Sequence, residues 1–272
     1  MTSAPGSADR VTQPWLAADL DGDLRTALAE ANLLLTHARK SGDLRGRVEA
    51  LLAQARVLRH RGDPASLAHA RSAADLASRL ACLPAAGHDE VLRGRTELEC
   101  ATCLVQGGSQ AEGMKRAWDW RSAPEPRLAG WAWLVIGQAL ALQQDRPSAA
   151  VAALANAVAE FQRGTRGNRV AGTKILLAET LADAGQLDAA SAVLGELSDW
   201  AGSEAPRRLR LGYLLALADV HYAQGDVQAA ISAMRDEVHP LLNQCTDVEM
   251  SWIRYHERYA AYLRAWGQEP KA

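Results

Sequence analysis

Phenylalanine occurs once in 272 residues, isoleucine and lysine four times each, and aromatic side chains make up only 5% of the chain. The apolar vocabulary is instead alanine and leucine, which favour helices, and apolar residues recur at spacings of three and four rather than two. No segment reads as a strand, so the expected fold class is all-α. Cysteine is scarce and irregularly placed, at Cys82, Cys100, Cys103 and Cys245, which makes no disulfide framework and agrees with a reducing compartment. No stretch reaches the roughly 18 uncharged apolar residues of a membrane span, and the opening MTSAPGSADR has no apolar segment of a secretory signal. The expectation is a cytoplasmic protein with no membrane partner. An excess of either charge is also missing: 30 Lys+Arg against 32 Asp+Glu leave a net charge of −2, so no overall basic field attracts nucleic acid.

Local patterns define the helices. Leu176, Leu177, Leu181 and Ala184 lie on one side of a helix, as do Leu214, Leu217, Ala218 and Tyr222. Breaks come as Gly42-Asp43, Gly62-Asp63-Pro64, Gly107-Gly108-Ser109, Asp145-Arg146-Pro147, Gly185-Gln186, Gly202-Ser203 and Gly225-Asp226. Glycine supplies a left-handed helix end, Asp or Ser caps the next helix and Pro fits its first turn. About a dozen helices are expected. Counted from Gly22, the principal breaks recur after 40, 46, 37, 40 and 40 residues, and a period near 40 implies one antiparallel helix pair per repeat. Five residues after a turn stands a small residue, as at Ala27, Gly113, Ala150, Ala190 and Ala230, with Ala68 one place late; seven before it stand Ala55, Ala101, Ala178 and Ala218, with Gly137 one place off. These small residues let paired helices approach closely.

The stretch Gly225-Asp-Val-Gln-Ala-Ala-Ile, following Leu214, Leu217, Ala218 and Tyr222, resembles a tetratricopeptide repeat. The resemblance covers about residues 20–267, is strongest in the last two full repeats and departs from the family in a period longer than the usual 34 or so residues. Longer helices of this kind resemble the helical repeats of maltose-activator-type bacterial regulators, although no helix-turn-helix or nucleotide-binding domain accompanies them here. The resemblance implies a right-handed superhelical solenoid of about six antiparallel helix pairs, whose first helices line a concave groove. Residues 1–14 are then a flexible N-terminus, 15–267 one solenoid domain and 268–272 a tail.

Motifs for catalysis are absent: the chain has no glycine-rich phosphate loop, no His-Glu-x-x-His and no Gly-x-Ser-x-Gly. Cys100-x-x-Cys103, with Cys82 and His88 as candidate further ligands, is the best metal pattern. Cys100 falls among packing positions of the helical run 91–106, however, so no metal or cofactor is assigned. His256 and Glu257 are an acid/base pair by residue type only, since neighbours on a helix point apart. Trp118 and Trp120, like Trp131 and Trp133, stand about 200° apart on a helix and fit either irregular repeat packing or an exposed aromatic patch. The basic groups Arg56/Arg59/His60/Arg61, Arg163/Arg166/Arg169 and Arg207/Arg208/Arg210 lack interleaved aromatics, and with 26 arginines against four lysines a compositional preference accounts for them.

The resulting expectation is a non-enzymatic scaffold holding a partner peptide or helix in the groove. Its alternative is a regulatory sensor that encloses a small molecule or signalling peptide. Alignment of the family's groove positions to the turns places Arg56, Arg59, Val105, Gln106, Leu142, Gln143, Glu179, Asp183, Asp219 and Tyr222 in the groove, basic at its N-terminal end and acidic at its C-terminal end. The last helix, about 247–266 with Thr246 as its cap, carries the seam Trp252, Tyr255, Tyr259, Tyr262 and Trp266. Its other face, Ile253, Ala260 and Leu263, is expected to be exposed as a docking surface, with a homodimer as the simplest partner arrangement.

Overall fold

The computed structural model describes residues 13–81, 89–143, 145–164, 167–246 and 248–268. Among the described residues there is no strand, and the one extended pairing is an isolated bridge between Asp23 and Thr246. The chain runs through α1 (Pro14–Leu20), α2 (Leu24–Lys40), α3 (Leu44–Arg61), α4 (Ala65–Ala81), α5 (Glu90–Gln106), α6 (Gln110–Trp118), α7 (Pro126–Gln143), α8 (Pro147–Gly164) and α9 (Asn168–Asp183). Then follow α10 (Leu187–Gly195), α11 (Ser198–Ser203), α12 (Arg207–Ala223), α13 (Val227–Ala233), a π-helical turn over Met234–Val238, α14 (His239–Leu242) and α15 (Glu249–Gln268). Helices pack on their sequence neighbours, and α3 also meets α5, α5 meets α7 and α9 meets α12. No described helix is long and apolar enough to cross a membrane.

The turns follow the sequence. Gly22, Gly42, Gly62, Gly108, Gly185 and Gly225 all take positive φ, between 70° and 89°, a region that side chains with a Cβ rarely enter. Asp23, Asp43, Asp89 and Asp226 each accept a hydrogen bond from the backbone N–H three residues on, capping α2, α3, α5 and α13. Ser109 makes no such bond. Thr246, expected as a helix cap, reaches across the molecule: its hydroxyl donates to Asp23 Oδ1 at 2.7 Å and its N–H to the Gly22 carbonyl at 3.0 Å.

Close helix approach is visible at the small residues. Ala27, Ala150, Ala190 and Ala230 are fully buried, while a Cβ on Gly137 would fall 2.7 Å from the Leu154 side chain and one on Gly113 2.6 Å from Val105. The second repeat departs from the pattern, because Ala68 is exposed and Ala70 is buried in its place. Helix partners are also interrupted more often than the turn signals imply. The second helix of the α9 pair breaks into α10 and α11 at Glu196–Leu197, and α13 passes through the π-turn before Pro240, which has no N–H to donate.

The two ends of the helix series meet. Besides the Thr246 bonds, Arg207 Nη1 donates to the carbonyls of Gln244 at 3.1 Å and Asp21 at 3.3 Å, and Arg208 Nε donates to the Asp19 carbonyl at 3.1 Å. Trp15 and Leu24 share one buried cluster with Leu211, Tyr213 and Val248. α1 therefore packs on both α3 and α12, and α15 lies on α12, α13 and α14 while also reaching α3.

Candidate functional site: an interior face in two halves

The first helices of successive pairs, together with α1, converge on a chamber of about 210 Å³. Trp15 comes from α1, Glu49, Arg56, Arg59 and His60 from α3, Arg95, Glu99 and Thr102 from α5, Trp131 and Gln138 from α7, and Arg169 from α9. Wider and more open clefts of about 440 and 510 Å³ lie between α2, α3 and α4 and beside α5 and α6, but neither gathers side chains from so many elements.

Within the chamber most cations have partners. Arg95 grips Glu49 with two bonds of 2.6 Å, and Arg59 Nε donates to Glu99 Oε1 at 2.8 Å. Burial alone would lower the Arg59 pKa; Glu99, Cys103 and Asp19 reverse that and raise it. Arg169 differs. Its guanidinium lies over the Trp131 ring at 4.7 Å and the Phe161 ring at 5.8 Å, and no described acid is ion-paired with it. Its surface remains open to solvent, yet desolvation by the surrounding walls, with Arg56 next in weight, lowers its pKa to about 10. Trp131 is held in turn by Nε1–H donation to Thr102 Oγ1 at 3.1 Å.

Behind the chamber Asp19 joins three elements. Its buried carboxylate is 2.5 Å from His60 Nδ1, 3.1 Å from Arg56 and 3.6 Å from Arg208. Burial would raise the Asp19 pKa, but His60, Arg208 and Arg56 hold it far below the usual carboxylate range. Burial and the nearby Arg208 push His60 down to about 3, so it is neutral near pH 7 and its Nδ1–H donates to Asp19.

A second cluster on the later first helices, α9 and α12, is acidic and is filled by the chain itself. Arg254 and Arg258 of α15 reach Glu179 of α9 at 2.9 and 3.5 Å, and Arg258 also pairs with Asp219 of α12 at 2.6 Å. The Tyr262 hydroxyl donates to Asp219, and its ring stacks on Tyr222 at 4.6 Å. Burial raises the Asp219 pKa against the opposing pull of Arg258 and Tyr262.

The expected groove residues thus fall into three sets. Arg56 and Arg59 line the basic chamber, with Arg56 turned partly to Asp19. Glu179, Asp219 and Tyr222 surround α15, and exposed Asp183 lies beside them, its pKa raised by desolvation and by Glu179. Val105 is buried, whereas Gln106, Leu142 and Gln143 are exposed at the ends of α5 and α7, and none of the four lines the chamber. Ile253, Ala260 and Leu263 are exposed, and the seam opposite buries Tyr255 and Tyr262 but leaves Trp266 open. His256 stacks on Trp252.

Cys100 and Cys103 are buried with Ala55, Ala70 and Ala74, and burial raises their thiols to about 12 and about 11. Cys82 and His88 lie outside the described residues, and no metal-holding group occurs among those described. Trp131 and Trp133 both pack on the α5–α7 core.

Sequence reasoning missed Asp19, Glu99, Gln138, Arg254 and Arg258, and treated Arg169 as compositional. The available signal for Arg169 was its place in the first turn of a first helix. No family model, curated protein or solved structure matches the chain.

Proposed function

We propose that the chain is a non-enzymatic interaction module built as a tetratricopeptide-like, right-handed solenoid of about six helix pairs, whose interior face receives a helix or peptide of a partner protein. The recurrent turns and the buried small residues between paired helices support the architecture. One observation carries the function: the acidic half of the interior face already holds a helix, α15, through Arg254, Arg258 and Tyr262. A surface that seats its own helix by charge and aromatic stacking suits a basic, aromatic-bearing helix from another protein, and α15 is then the resident occupant that such a partner displaces.

The test uses two full-length baits. R254E/R258E/Y262A turns the α15 contacts repulsive and opens the acidic half; the same chain with E179A/D219A lacks the receiving acids. The first bait is expected to capture from source-cell lysate a protein that wild type captures weakly, through a basic segment of that protein, and the second bait is expected to lose it. Equal capture by both baits, with helicity retained, would contradict the proposal. The rival reading, an enclosed small ligand, draws on a different feature, the basic chamber.

A further inference from the structure

We propose that the basic chamber binds a compact dianion, a small dicarboxylate or a phosphate-type group, with Arg169 as its principal ligand. This gives the enclosed-ligand reading its chemical class, and it does not depend on whether a partner displaces α15.

The charges lining the chamber do not balance. Arg56, Arg59, Arg95 and Arg169 face only Glu49 and Glu99, while neutral His60 adds nothing and Asp19, outside the lining, is shared by Arg56 and Arg208. Glu49 is taken by both forks of Arg95 and Glu99 by Arg59. Two positive charges are left over, one of them on Arg169, which is open to solvent on one side and walled by protein on the other.

The leftover charge has a definite carrier. Arg169 has no ion pair with any described acid, and its guanidinium lies over the Trp131 ring at 4.7 Å, a contact made through the face of the planar group that leaves its fork of N–H donors for another partner. That is the geometry for a two-point contact to a carboxylate or phosphate. Arg56 and Gln138 also line the chamber, and the buried Arg56 Nε and Gln138 side-chain oxygen have no partners; a small rotation of either side chain toward a ligand would offer it a further donor. Trp131 is itself fixed through Thr102, so little side-chain freedom is lost on binding.

Size narrows the ligand. The chamber measures about 210 Å³. A four-carbon diacid or a pyrophosphate fits, whereas a drug-sized molecule needs about 300 Å³ or more. Because the lining comes from α1, α3, α5, α7 and α9, a bound anion would tie five elements together and raise the unfolding temperature by linkage.

Calorimetry and thermal unfolding of the full chain, at constant ionic strength set with chloride, test this with four probes: succinate, pyrophosphate, the monoanion butyrate and the neutral succinamide. Saturable binding with a raised unfolding temperature is expected for at least one of succinate and pyrophosphate, and the one that binds distinguishes a carboxylate from a phosphate source. R169Q should keep its helicity and bind at least about tenfold more weakly. Should R169Q fail to fold, R169K keeps the charge and the stacked stem but loses the fork, and is expected to bind several-fold more weakly. No saturation by either succinate or pyrophosphate would overturn the proposal, as would unchanged affinity in the folded Arg169 variant, which would mean an adventitious ion only. Succinamide binding as well as succinate would also overturn it, while leaving an enclosed ligand of another class in place.

Discussion

The Arg258 guanidinium stands 2.6 Å from the Asp219 carboxylate and 3.5 Å from that of Glu179, so a single side chain of the last helix bridges acids on α12 and α9. All three side chains are mostly shielded from water, and burial disfavours the charged form of Asp219. Removing the cation therefore leaves acids that were desolvated on its account.

R258A is accordingly expected to lower the unfolding free energy by about 1–3 kcal/mol, read from urea denaturation. R254A removes a side chain that is about half exposed, and screening limits its effect to under about 1 kcal/mol. Equal effects of the two substitutions would mean that Arg258 does not organise the α15 contact.

The Asp19 cluster sets a pH dependence. His60, ordinarily near 6.5, is pushed down to about 3, so between these values the unfolded chain binds a proton that the folded chain does not. The contribution of neutral His60 is fully present above about pH 6.5 and is lost progressively as pH falls toward 3, with a slope of up to about 1.4 kcal/mol per pH unit from this group. Asp19, depressed by the same partners, adds its own loss only below the ordinary carboxylate range, near pH 4. Chemical denaturation from pH 7 to 4 should therefore show stability falling well before the carboxylates titrate, and H60Q should flatten that limb. A wild-type curve flat down to pH 5 would contradict this.

Gly22 and Gly42 share positive φ but not surroundings. A Cβ on Gly22 would come 2.7 Å from Cys245 Sγ across the meeting of the chain ends, whereas nothing lies within 4 Å of one on Gly42. G42A bears only the backbone strain, about 1 kcal/mol. G22A should lose clearly more, and C245A, which removes the sulfur, should narrow the difference. Equal thermal destabilisation by the two alanines would argue against the joined ends.

Much of the fold was legible. Glycine turns followed by Asp caps and small residues at fixed offsets specify helix starts, stops and close contacts, all of which are local. The closure of the chain ends was not legible, because Thr246, Arg207 and Arg208 find Asp23, Asp21 and Asp19 about 190 residues away or more in sequence. Nothing in the local pattern of either segment marks the other. The site was half legible for the same reason. Arg56, Arg59, Glu179, Asp219 and Tyr222 were singled out by aligning the resembled family's groove positions to the turns, but their partners depend on how distant helices pack, so neither the filling of the acidic half by α15 nor the isolation of Arg169 over Trp131 could be read from spacing.

The central claim, that the interior face is a receptor for a helix, is tested most directly with a labelled synthetic peptide of residues 249–268. Within the chain α15 is tethered at an effective concentration in the millimolar range, so the peptide must be offered to a chain whose own helix has been released. Fluorescence anisotropy should show saturable binding to full-length R254E/R258E/Y262A and little to wild type, with binding lost when E179A/D219A is added. Absence of binding to the released chain, with its circular dichroism still that of a folded helical protein, would contradict the account.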